Sequence, residues 1–278
     1  MLFPRILTAI VGVPVILLAL ATGGLPLTIL ILGISLLCLY EIFALFNKMG
    51  FPPRTLFGYP LALVLFGLFI LPSQAQPAYA AILKSPSLLG LGLTLAVVLL
   101  TGAELFYIHT RSLVSSAVTL FAILFVTWPL AHVVLIRDLA PSGQEWSFFL
   151  FVTIWVADIF AYAIGMKWGR KQLAPAVSPK KTVEGLAGTL LGAFCASGAF
   201  WVMVFRKEGF EFSEIALLGV LGLGIGGQIS DLVESVLKRQ ARVKDSSAVL
   251  PGHGGFLDRF DSFFLTAPLL YYYLAFRL

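Results

Sequence analysis

Residues 235–261 read SVLKRQARVKDSSAVLPGHGGFLDRFD and set Lys238, Arg239, Arg242, Lys244, Asp245, His253, Asp258, Arg259 and Asp261 between two apolar segments. Only 12% of the 278 residues are charged, so this one stretch holds a large share of the chain's ionisable groups. An ionisable side chain at membrane depth costs about 2.5–3.5 kcal/mol on insertion scales, which favours a site over a scaffold. Both signs of charge beside glycines point to phosphate chemistry.

A second polar stretch, GRKQLAPAVSPKKTVEG, runs from Gly169 to Gly185. Ser178-Pro179 predicts a helix start, with Ser as cap and Pro in the first turn. Lys180 and Lys181 then fall at a helix N-terminus, where the macrodipole disfavours cations. A bound phosphate would resolve that conflict, because free N–H groups and two ammonium ions together hold an anion. Two lysines that snorkel to solvent are the competing reading, and this loop alone leaves both open.

Carboxylates supply the complementary ingredient. Asp158 precedes Lys167 and Asp231 precedes Lys238 by about two helical turns, which sets both acids roughly 10–14 Å below the polar loops. Asp258 and Asp261 are spaced i,i+3 and share a helical face. Hard oxygen ligands beside a phosphate site predict Mg²⁺, which takes one or two carboxylates and completes its shell with water and substrate phosphate. For each acid alone a structural role competes: Asp258 as an N-terminal helix acid, Asp231 paired with Arg239 or Arg259. For the set, ligation is the expectation. His253 lies in Pro251-Gly252-His253-Gly254-Gly255 and reads as a hydrogen-bonding residue in a turn whose glycines bring backbone N–H groups close to an anion. The glycines at 219, 222, 224, 226 and 227 lack the ending of a phosphate-binding loop and predict close helix packing.

These residues need elements to position them. Hydrophobic residues make up 59% of the chain and the mean hydropathy is +0.96, well above a soluble domain. Apolar runs fall at 6–21, 25–46, 58–71, 87–107, 114–136, 147–166, 185–205, 213–237 and 256–276, most of them long enough to cross a hydrocarbon core of about 30 Å. Backbone groups in lipid must be satisfied within each segment, and the runs do not alternate as in a barrel. The expectation is an all-α polytopic integral membrane protein with about nine transmembrane helices, the first retained rather than cleaved. It divides into N-terminal helices (1–146) and site-bearing helices (147–278) of one membrane-embedded unit. With the N-terminus inside, 14 of the 19 Lys and Arg are cytoplasmic, which puts both polar loops on that side. Part of the net charge of +5 would rest against anionic lipid headgroups. Cys38 and Cys195 read as small core residues.

The pattern of Ser235, Lys238-Arg239, Lys244-Asp245, Ser247, Leu250-Pro251, His253-Gly254-Gly255 and Asp258-Arg259-Phe260-Asp261 resembles the signature of the phosphatidate cytidylyltransferases, or CDP-diacylglycerol synthases. Asp158 with Ala161-Tyr162 and Gly165, and Ser178-Pro179-Lys180-Lys181-Thr182 with Glu184-Gly185, resemble that family's other recurring block. The likeness covers about 155–261; the first 150 residues match as generic spans. It implies attack of the phosphate of phosphatidic acid on the α-phosphorus of CTP, with Mg²⁺, a K⁺ beside it, and a bacterial inner-membrane setting. Catalytic roles are then expected for Lys238, Arg239, Asp231, Asp258 and Asp261, and metal ligation for Asp158, Asp231, Asp258 and Asp261. Substrate contacts are expected from Ser178, Lys180, Lys181, Thr182, Lys244, Asp245, His253, Gly254, Gly255 and Arg259.

Two other readings stay open. A polyprenol- or phytol-type lipid kinase using CTP would release CDP rather than pyrophosphate. An anion transporter could use membrane carboxylates and a broken helix, yet has no need of so dense a Lys/Arg/His/Gly loop. The partners expected are CTP, phosphatidic acid and membrane lipid, with no nucleic acid; a homodimer is a further expectation that no sequence face locates.

Overall fold

The computed structural model describes residues 3–74, 86–106, 112–250, 252 and 254–277. The helices are α1 (Phe3–Thr22), α2 (Gly24–Lys48), α3 (Thr55–Gln74), α4 (Pro86–Ala103), α5 (Ser112–Ala122), α6 (Trp128–Asp138), α7 (Gly143–Trp168), α8 (Val183–Phe200), α9 (Phe212–Leu217), α10 (Gly226–Gln240), α11 (Leu257–Phe260) and α12 (Phe263–Arg277). Among the described residues, five helical stretches are long and apolar enough to cross a membrane: Gly24–Lys48, Leu113–Asp138, Gly143–Trp168, Val183–Phe205 and Phe212–Gln240. The apolar helices Ile10–Thr22, Thr55–Leu71 and Leu89–Ala103 are shorter. Large apolar side chains such as Ile29, Leu56, Ile159 and Phe276 stand exposed, as lipid-facing residues do. The chain is thus an all-α membrane protein in character.

Three of the long stretches contain a π-helical segment: Ile123–Thr127, Trp201–Phe205 and Leu218–Ile225. The first has a local cause. Pro129 has no N–H to return to the preceding turn, and the ladder slips so that Trp128 N–H bonds to the Ile123 carbonyl.

The chain divides into two compact units. The first comprises Met1–Asp138 and Gln240–Arg259. Its core is built on α2, which buries Leu27, Ile31, Cys38, Ile42, Phe43 and Leu45. Arg54 and Glu104 form a buried pair through two bonds of 3.1 and 2.7 Å, while Thr119 Oγ1 accepts from Arg54 N. A buried pair held at both ends avoids the cost of an unpaired charge.

The second unit comprises Leu139–Arg239 and Phe260–Leu278. Its aromatic core stacks Trp146 on Phe205 with centroids 4.0 Å apart and packs Phe263 against Phe151. Helices α7 and α8 meet along small residues: a Cβ on Gly188 would lie 2.6 Å from the Phe160 carbonyl oxygen. The glycine run before Asp231 does the same, since a Cβ on Gly219 would lie 1.9 Å from Ser197 Oγ. That meets the expectation of close packing. Cys195, expected in a core, is exposed.

Between α7 and α8 the chain departs from the expected helix start. Residues Gln172–Ala174 (β1) and Ser178–Thr182 (β2) pair as an antiparallel hairpin, and α8 begins after Thr182, whose hydroxyl accepts from Gly185 N at 3.0 Å. Thr182 outcompetes Ser178 as the cap because Gly185, at the third helical position, gives its N–H to the hydroxyl. Pro179 is tolerated in a strand of a two-stranded ribbon, where an N–H is dispensable. Lys180 and Lys181 therefore sit on a strand and point to opposite sides.

Candidate active site

Asp231 and Glu234 lie i,i+3 on α10 and share one face; Lys238 follows a turn later. Asp261 enters from the short turn between α11 and α12. Among the described residues, Asp231, Glu234 and Asp261 each present a carboxylate oxygen, all within 4.8 Å of one another. Asp231 is half-buried, and Glu234 and Asp261 are buried. The turn is fixed by the backbone: Ser230 Oγ donates to the Asp261 carbonyl, and Asp261 Oδ1 accepts from Ser262 N at 2.7 Å.

Two cations offset this negative charge. Lys181 Nζ lies 2.7 Å from Asp231 Oδ2 and 3.0 Å from Gln228 Oε1. Lys238 Nζ lies 2.6 Å from Glu234 Oε2. Asp231 thus pairs with Lys181, a partner that the structural alternative, which named Arg239 or Arg259, did not foresee. Arg239 Nε donates to the Val177 carbonyl at 2.9 Å, which ties the end of α10 to the β-hairpin. Glu184 Oε2 accepts from the backbone N–H groups of Arg170 and Lys171, anchoring the hairpin's other end. Lys180 is exposed beside Pro179, Ser178 and Thr182 are partly buried, and Asp158 is exposed on α7.

Sequence reasoning missed Glu234. Its signal was present: an acid three residues from a membrane aspartate falls on the same helical face. Three carboxylates this close repel one another unless cations neutralise them.

The first unit holds the rest of the polar loop. Asp258 Oδ2 accepts from Ser246 N (2.9 Å) and Gly255 N (2.8 Å) and lies 2.7 Å from the Ser246 hydroxyl. The Gly255 N–H, expected to face an anion, is therefore given to Asp258. Gly254 has φ +83°, and its carbonyl accepts from Leu250 N. Lys244, Asp245 and Arg259 are exposed. Pro251 and His253 lie outside the described residues.

Three clustered acids, two of them buried, with lysines against Asp231 and Glu234, can hold a divalent cation and the phosphates it would bind. Comparison with known proteins bears on the family. The model of the cytidylyltransferase family matches residues 3–277. A phosphatidate cytidylyltransferase of Bacillus subtilis (strain 168) is 35% identical over 271 residues, 98% of this chain and 97% of the relative. One of Staphylococcus aureus (strain COL) is 34% identical over 269 residues, 96% of each chain. A Synechocystis protein of the same name is 43% identical over 143 residues, 49% of this chain and 45% of the relative. With a family model spanning nearly every residue and two of these relatives aligned almost end to end, the chain belongs to the cytidylyltransferase family.

Proposed function

We propose that the chain is a phosphatidate cytidylyltransferase: a phosphate oxygen of phosphatidic acid attacks the α-phosphorus of CTP, the bond to the β-phosphate breaks, and CDP-diacylglycerol and pyrophosphate result. The observation that carries this is the 35% identity to the Bacillus subtilis enzyme over 98% of the chain. The carboxylates and lysines of α10 and the β-hairpin supply what the reaction needs. A phosphate monoester is largely ionised at neutral pH, its second pKa being about 6, so attack requires no side-chain base. The protein's share is to align the two substrates and to offset the charge on the phosphates.

The donor set fits Mg²⁺. Asp231, Glu234 and Asp261 are hard oxygen ligands already gathered on one side, and Mg²⁺ is commonly held by one or two carboxylates with substrate phosphate completing the shell. A bound Mg²⁺ would neutralise charge on the transferring and leaving phosphates. Lys181 and Lys238 hold the carboxylates in place and offer ammonium groups to the nucleotide. The complete reading has nine spans with an inner-membrane location, and a site that opens to the cytoplasm, where CTP arrives from water and phosphatidic acid from the leaflet; the bias of Lys and Arg toward one side supports it.

The deciding experiment gives the purified protein phosphatidic acid, CTP labelled in the base and Mg²⁺, and follows both products. CDP-diacylglycerol and pyrophosphate are expected in equal amounts. Free CDP with a phosphorylated lipid would mean a CTP-dependent lipid kinase instead, and no nucleotide turnover would favour a transporter.

The lysines separate in this assay. Lys181→Ala removes the ammonium paired with Asp231 and should lower kcat/KM for CTP about 10- to 100-fold, the loss of one or two charge-assisted bonds. Lys180→Ala, on the exposed side of the strand, should cost less than Lys181→Ala. Equal, near-wild-type kinetics for both variants would mean that the lysines only snorkel.

A further inference from the structure

Glu41 has no part in the chemistry above, yet it is a carboxylate inside an apolar helix and only 1% exposed. It lies seven residues before the end of α2 and accepts four hydrogen bonds. Ser247 Oγ (2.6 Å) and Phe256 N (3.0 Å) donate to Oε1; Ser246 Oγ (2.7 Å) and Leu257 N (2.8 Å) donate to Oε2. Four donors match the roughly four acceptor sites of an ionised carboxylate. All four come from one segment, 246–257, and the single Ser246 hydroxyl proton is shared between Glu41 and Asp258, each 2.7 Å away. Lys244 and Asp245 just before the segment and Arg259 just after it are exposed. The segment is therefore fastened at one carboxylate and flanked at both ends by exposed charge.

We propose that Glu41 is a positioning residue for the reaction: it clamps the segment 244–259 in the shape that presents Lys244 and Arg259 to substrate phosphate. This rests on the phosphate-handling function proposed above for that segment. An apolar side chain in the same place would leave two backbone N–H groups and the Ser247 hydroxyl without this acceptor, and the segment would lose its fixed shape. Misplacing a phosphate contact by about 1 Å can cost on the order of 100-fold in rate.

The test uses the full-length protein in detergent. Glu41→Gln keeps the volume but sets an NH₂ against two donors. Its kcat/KM for CTP is expected to fall about 100-fold, with amide hydrogen exchange in 246–257 accelerated and the thermal midpoint lowered only slightly. Glu41→Asp, which keeps both oxygens, is expected to recover part of the activity. A purely structural role predicts lower yield and midpoint with unchanged kcat and KM of the folded protein, and that result overturns the proposal. So does unchanged exchange in 246–257. If Glu41→Gln does not fold, Ser247→Ala decides, since it removes one donor: unchanged exchange and unchanged kcat/KM refute the clamp. A wild-type protein without CTP-dependent pyrophosphate release would sink the proposed function instead, and the exchange comparison would still test the clamp.

Discussion

Asp231→Asn and Asp261→Asn should each lower CTP-dependent pyrophosphate release by on the order of 10³-fold, the scale of removing a group that offsets charge in a transition state. Both substitutions preserve volume and leave the surroundings held. Lys181 keeps its bond to Gln228, and the Asp261 backbone keeps its bond from Ser230, so membrane insertion and yield should be near normal. Glu234→Gln should fall in the same class. Glu214→Gln is the control: this acid in α9 faces Tyr273 and Arg277, and its loss should lower thermal stability while turnover persists. Near-wild-type rates for Asp231→Asn and Asp261→Asn at saturating Mg²⁺ would remove the carboxylate trio from the mechanism.

Gly255→Val should inactivate the protein nearly as fully, by at least about 100-fold, through steric conflict. A Cβ at Gly255 would lie 2.0 Å from Ser246 Oγ and 2.2 Å from Glu41 Oε2, so even Gly255→Ala must displace groups that hold the segment together. At Gly254 the φ of +83° and a would-be Cβ 2.7 Å from Asp258 Oδ2 predict a similar loss. Gly67→Ala, where nothing lies within 4 Å of the added carbon, should keep full activity. Membrane-inserted Gly255→Val with wild-type kinetics would show that this packing does not matter to the reaction.

What the sequence revealed and what it hid have physical causes. Asp231 was readable because a charge in an apolar helix is costly and marks itself, and Asp261 because it stands i,i+3 from Asp258 at the start of an apolar run. Lys181 was readable as a site residue, but not its partner, because the pair spans a hairpin and a helix that one-dimensional spacing does not relate. The hairpin was hidden by Ser178-Pro179, a sound helix-start signal that loses to Thr182 four residues on. Asp258 was legible as an important acid and illegible as an acceptor for its own loop, since Ser246 and Gly255 are brought to it by a turn. Glu41 carried the same mark as Asp231, an acid in an apolar run, but its partners are more than 200 residues away in sequence.

That separation also has a meaning in time. Ser246 is made 205 residues after Glu41, and at about 5–20 residues per second the wait is roughly 10–40 s. During it α2 already exists, while none of the four donors that satisfy its carboxylate has been synthesised. The earlier helices must therefore carry an uncompensated acid until translation is almost complete, and the basic loop takes its working shape only as one of the final events of biogenesis. A chain cut short before residue 246 keeps that acid unsatisfied for good, so an aborted product carries a built-in defect that a full-length one erases.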